Sequence, residues 1–139
     1  MIKDKILLKN GNVLLELALV MPILLLLLAG IVQFGFIFNA KIAVNSASYE
    51  GARAATLVDD PLSEALNSIE NYASSTLPGW NFNERLKGNI NIQGTDPGDI
   101  VSVEVIYSIP VFFAKILPFY DSDTIDISGI SVMRIEEKE

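Results

Sequence analysis

The stretch NVLLELALVMPILLLLLAGIVQFGFIF, residues 12–38, decides how the rest of the chain is read. Residues 17–32 carry no charged and no strongly polar side chain, and Gln33 is the one strong polar group before Asn39. The run reaches the roughly 20 residues that a helix needs to cross about 30 Å of hydrocarbon. A helix satisfies its own backbone groups there, so the pattern predicts one membrane-spanning helix. Glu16 is the exception inside it. A carboxylate near the end of an apolar helix is costly to place in lipid, which makes it a functional candidate.

The chain has 139 residues, so a single span leaves about a hundred for one small exported domain. It contains no cysteine and no histidine. Disulfides, cysteine-ligated zinc and iron–sulfur clusters are thereby excluded, as is the commonest general base. The net charge of −7 is unevenly spread. Residues 1–11 set Lys3, Lys5 and Lys9 against Asp4, whereas residues 39–139 set seven basic against fifteen acidic side chains. Positive charge before the apolar run predicts a cytoplasmic N-terminus and an extracytoplasmic C-terminal domain. An acidic domain offers no attraction to nucleic acid, so none is expected as a partner.

Residues 1–11, MIKDKILLKNG, look like the charged front of an export signal, but no small-x-small site follows the apolar run. Gly11 instead lies just before that run, and Glu16 is the fifth residue after it. This spacing resembles a type IV prepilin processing site, where a membrane peptidase cuts after Gly and leaves Glu at the fifth mature position. Cutting there would expose an α-amino group on Asn12, which is largely cationic at neutral pH. Glu16 would lie one turn away, about 6 Å along the axis. In a bundle of such helices the amine of one subunit could neutralise the Glu of another, so that neither charge stays unpaired in lipid. The plainer reading is a Glu16 that snorkels to the cytoplasmic interface. Pro22 removes a backbone donor and crowds the Ala18 carbonyl, which predicts a kink or a melted turn. Gly30 and Gly35 do not have the GxxxG spacing.

No helix stop follows Phe38. One helix is expected over residues 13–57, its second half rich in Ala and Ser. Gly51 costs that helix about 1 kcal/mol relative to Ala. The small residues would admit either another subunit or the chain's own domain. At this point a family resemblance becomes specific. Lys9-Asn10-Gly11, then Glu16-Leu17-Ala18-Leu19-Val20-Met21-Pro22, then Asn45-Ser46-Ala47-Ser48-Tyr49-Glu50-Gly51-Ala52-Arg53 together resemble the TadE-like family. These are minor pilins or pseudopilins of the tight-adherence (Tad/Flp) pilus, which serves cell adhesion. Leu17 stands where that family usually has an aromatic residue, and Asn12 and Leu15 where it often has small ones. The Met133-Arg134-x-Glu136 ending also recurs in it.

The resemblance implies processing at Gly11 and Asn12, and assembly through Glu16, Leu17 and Pro22. It implies as partners other pilin subunits, the assembly machinery, a prepilin peptidase and the membrane, in a homo- or hetero-oligomer. It implies a single-pass membrane protein, extracellular once processed into a pilus. The alternative is an unprocessed, membrane-anchored accessory factor for pilus assembly or secretion.

The exported part reads as α+β. Asp60-Pro61 is an N-cap followed by Pro at the first helical position, starting a second helix over residues 60–77. Leu62, Leu66, Ile69, Tyr72 and Ala73 form its apolar face. In residues 88–136 the period switches to two. Ile90 and Ile92 form one strand, and residues 95–99 (TDPGD) form a turn. Val101, Val103, Val105 and Tyr107 mark a half-buried second strand, antiparallel to the first. Residues 110–118, PVFFAKILP, could form a short helix, a buried loop or an exposed contact patch; Phe112, Phe113, Ile116 and Leu117 are read as a core lid in preference to a binding surface. A last strand over residues 124–135 puts Ile125 and Ile127 on one face and Ile130 and Val132 on the other, which predicts a bulge near Gly129. At least three antiparallel strands would pack on the long helix and the second helix.

Asp121, Ser122, Asp123 and Asp126 could in principle face a calcium ion, but the EF-hand Gly and terminal Glu are missing, and a solvated acidic loop is the expectation. No nucleophile elbow, phosphate loop or zinc signature is present, so neither an enzyme nor a cofactor is expected.

Overall fold

The computed structural model describes residues 2–57, 60–77, 82–94, 96–112 and 122–135. Its elements are helices α1 (Ile2–Leu57), α2 (Pro61–Thr76) and α3 (Phe82–Arg85) and strands β1 (Leu86–Ile92), β2 (Ile100–Pro110) and β3 (Thr124–Arg134). The class is α+β, as expected from the two periodicities. The chain divides into two compact units, Met1–Gly35 and Phe36–Glu139, each taken by itself below.

The first unit is helix alone. Within Asn12–Leu57 lies an 18-residue window of mean hydropathy 2.7, long and apolar enough to cross a membrane. One expectation is corrected here. The helix starts at Ile2 rather than near residue 13, because Ile, Leu and Lys before Gly11 are helix formers and one Gly costs only about 1 kcal/mol. Pro22 lies inside the helix, which continues on both sides of it.

In the second unit, α1 and α2 cover one face of a three-stranded antiparallel sheet in the order β1-β2-β3. Strict alternation along β2 buries Val101, Val103, Val105, Tyr107 and Ile109. Each fully buried Val contributes on the order of 1.5–3 kcal/mol relative to an exposed one. Opposite them, α1 presents Ala40, Ala43, Val44, Ala47, Ala52 and Ala55. The small residues of α1 therefore serve the chain's own domain, since only short side chains let a helix axis approach a sheet this closely. Gly51 belongs to the same design: a Cβ there would stand 2.7 Å from Ile69 Cγ1 of α2.

The packing of α1 on β3 fixes their relative direction. Lys41 Nζ donates to the Ser128 carbonyl. A Cβ on Gly129 would stand 2.8 Å from the Asn45 amide nitrogen. Ser48 and Ser131 share a hydrogen bond of 3.0 Å. Helix position and strand position advance together, about 10 Å along each, so α1 and β3 run in the same direction.

Residues that sequence periodicity places correctly include the edges of α2 and the faces of β1 and β2. Others are corrected. The buried face of α2 is Ala65, Ile69 and Ala73, and Leu62 is exposed. Asp60 precedes Pro61 as expected, but its carboxylate makes no cap to the backbone. It accepts a 2.8 Å bond from Ser63 Oγ instead. The β2–β3 register is unbroken from Ile100↔Arg134 to Pro110↔Thr124, so the bulge is absent. Period two places Gly129 on the inner face beside Ile125 and Ile127, where α1 leaves no room for a side chain; Ile130 and Val132 simply point outward. Of the predicted lid, Phe112 is 57% exposed, and its ring meets Phe36 at a centroid distance of 5.4 Å. Phe113, Ile116 and Leu117 lie outside the described residues, as does Asp121.

The turn joining β1 to β2 explains its own acids. The Asp99 amide donates to the Asp96 carbonyl at 3.0 Å, and the Asp99 carboxylate accepts from the Asp96 amide at 3.0 Å. Gly98 holds a φ of +98°, which favours glycine.

Candidate functional site

The candidate site is a stretch of helix rather than a cleft. Gly11 lies within α1, and Asn12, Glu16, Leu17 and Pro22 follow on consecutive turns. Asn12 and Glu16 are four residues apart and so share one face, about 6 Å apart along the axis. Leu19, Ile23 and Leu27 continue that face, all exposed. From Asn12 to Leu28 every side chain is exposed in the single chain, Leu17 and Pro22 among them. This apolar sheath is far larger than a soluble surface tolerates, and it requires lipid or other helices around it. Glu16 is its one charge between Asn12 and Gly35.

Among the described residues no three acidic side chains converge in a way that could hold a metal. Asp126 accepts a 2.6 Å bond from Ser108 Oγ across the β2–β3 ladder. In the second unit a cavity of about 450 Å³ is lined mainly by apolar groups, including Phe36, Leu77, Ile109 and Phe112, with Asn39 and Arg85 as its most polar members. Its described lining includes no carboxylate.

Sequence reasoning misses three features of the second unit. Ser48 is fully buried, donates to the Asn45 carbonyl at 2.8 Å and meets Ser131. A small polar residue every few positions in an Ala-rich helix is the only trace it leaves in the sequence. The reach of Lys41 to β3 and the short α3 leave none.

The fold defines an α+β protein with one long apolar N-terminal helix, a second helix and a three-stranded antiparallel sheet. Residues 11–53 match the family model described as TadE-like protein, so the chain carries a TadE-like domain over that stretch. That domain implies a role in Tad pilus assembly, in a family that is generally non-enzymatic. No curated protein and no solved structure matches the chain.

Proposed function

We propose that this chain is a minor pilin or pseudopilin of a Tad-type pilus, cut after Gly11 by a prepilin peptidase and assembled by helix packing. The observation that carries the reading is the exposed sheath around Glu16. Fifteen apolar residues surround a lone carboxylate one turn from Asn12, and the TadE-like match begins at Gly11 itself. After the cut, the Asn12 amine of one subunit pairs with Glu16 of the next. A buried charge without a partner is strongly unfavourable in such surroundings, so the pair selects one axial register among many greasy alternatives. Leu17 flanks that pair. Pro22 leaves the Ala18 carbonyl without its usual donor, free to accept from a neighbour. Before assembly the chain is a single-pass membrane protein with its N-terminus in the cytoplasm and its domain outside. Its partners are other pilin subunits, the peptidase and the assembly machinery.

The test is Glu16→Ala in the full chain. Membrane insertion is expected to persist, because the change removes a charge from an apolar helix, while incorporation into filaments is lost. Normal incorporation of the variant would eliminate the charge pair as the mechanism.

One observation favours a second reading, an accessory factor that keeps its leader and its membrane anchor. Helix α1 is continuous through Gly11, with no extended segment at the proposed cut. Retention of residues 1–11 by a chain confined to membranes would select it.

A further inference from the structure

We propose that the free edge of β3 is a docking edge for a second copy of this chain, which adds its β1 in parallel, and that Lys41 guards this edge in the lone subunit. The proposal rests on the membrane-anchored, assembling role argued above and goes beyond the helix contacts.

The ladder shows which groups of β3 face away from β2. The Ile135 amide donates to Asp99 and its carbonyl accepts from Gly98, while the Asp123 carbonyl accepts from Val111. Antiparallel alternation then turns the odd residues of β3 toward β2 and the even residues toward the open side. Along that row Ser122 Oγ takes the Thr124 carbonyl, and Lys41 takes the Ser128 carbonyl. Ile130 and Val132 have no such partner among the described residues, and their side chains are 63% and 61% exposed. An eleven-residue edge strand with an open apolar end is a template for pairing, and a lysine laid across it is a usual way of blunting one.

Direction and charge choose the occupant. Helix α1 runs along β3 in the same direction, and copies anchored by the same segment in one membrane send α1 into their domains with the same polarity. Antiparallel β3–β3 pairing would reverse one of the helices. Parallel β3–β3 pairing would set Asp126 level with Asp126 and Arg134 level with Arg134. In the sheet β1 runs parallel to β3, because each is antiparallel to β2. The β1 of a like-oriented copy therefore meets β3 without inversion. One register sets Lys87 beside Asp126, Asn89 beside Ser128 and Asn91 beside Ile130, all on the outer face. Opposite charges on neighbouring strands favour this register. The contact is heterologous, so it propagates from copy to copy.

The chain lacks cysteine, so single cysteines report cleanly. Full-length Ser128→Cys and Asn89→Cys chains, carrying different tags, are co-expressed and treated in membranes with a short thiol-reactive cross-linker. The mixed dimer is expected as the main product, and Val132→Cys with Gln93→Cys repeats the test in the same register. Adding Lys41→Ala to both chains is expected to raise the cross-linked fraction about fivefold, the equilibrium value of one net hydrogen bond. Dimers of Ser128→Cys with itself as the main product, or no cross-link for either pair, would overturn the proposal. An unchanged yield with Lys41→Ala removes the guard. Leader removal is read by mass on the same membranes. A processed chain without cross-links overturns the edge alone, and cross-links on an unprocessed chain support the edge while counting against the pilin reading.

Discussion

Glu16 and Gly129 show how a single position can be decided by what surrounds it. Glu16 is exposed in the single chain, and no contact among the described residues accounts for a carboxylate there. On the proposed reading a neighbouring copy supplies its partner, and Glu16→Ala then separates insertion from assembly. Gly129 is decided within the chain. A methyl group there would press on the Val44 carbonyl carbon and the Asn45 amide nitrogen, both 2.8 Å away, and backbone cannot turn aside as a side chain can. Gly129→Ala is expected to cost about 1–3 kcal/mol as α1 lifts from β3, read as a lower denaturation midpoint of the detergent-solubilised chain. An unchanged midpoint would mean that α1 does not lie against β3. Ser48→Ala leaves Ser131 without its partner between helix and strand and is expected to cost about 1 kcal/mol in the same measurement.

At the scale of elements, α1 has two faces with opposite demands. Its Ala43 side is fully buried against the sheet, whereas Ile42, the next residue back, is 66% exposed. Ala43→Leu is therefore expected to destabilise the domain by about 1–3 kcal/mol through overpacking. Ile42→Ala should stay within about 0.5 kcal/mol of the parent, as surface changes do. Similar effects from the two would show that the helix is rotated from the orientation described. Helix α2 is anchored mainly by Ile69, which fills the space left by Gly51 and approaches Gly88 of β1. Ile69→Ala is expected to cost about 2–5 kcal/mol, near the limit that a domain this small tolerates.

For the whole molecule, the features legible in the sequence are those with a period. The apolar run, the alternation of β2 and the Asp60-Pro61 start each declare an element, and their order gives the α+β class. What stays hidden depends on partners far away in the chain. Nothing local tells Leu62 from Ala65 as the buried position, because that depends on where β1 passes under α2. The bulge expected near Gly129 comes from treating Ile130 and Val132 as core. Their exposure follows only once β2 sets the register and α1 takes the inner side of Gly129. Ser48 and Lys41 look like ordinary helix residues until β3 lies beside them. The candidate site proposed from the sequence depends on no distant partner within the chain: Gly11, Asn12 and Glu16 are neighbours in sequence, and a helix fixes their spacing without any tertiary contact. The intact mass of the protein purified from its native membrane tests this spacing most directly. A chain that begins at Asn12 is expected, with residues 1–11 removed, and a chain that still begins at Met1 would contradict the pairing of the Asn12 amine with Glu16.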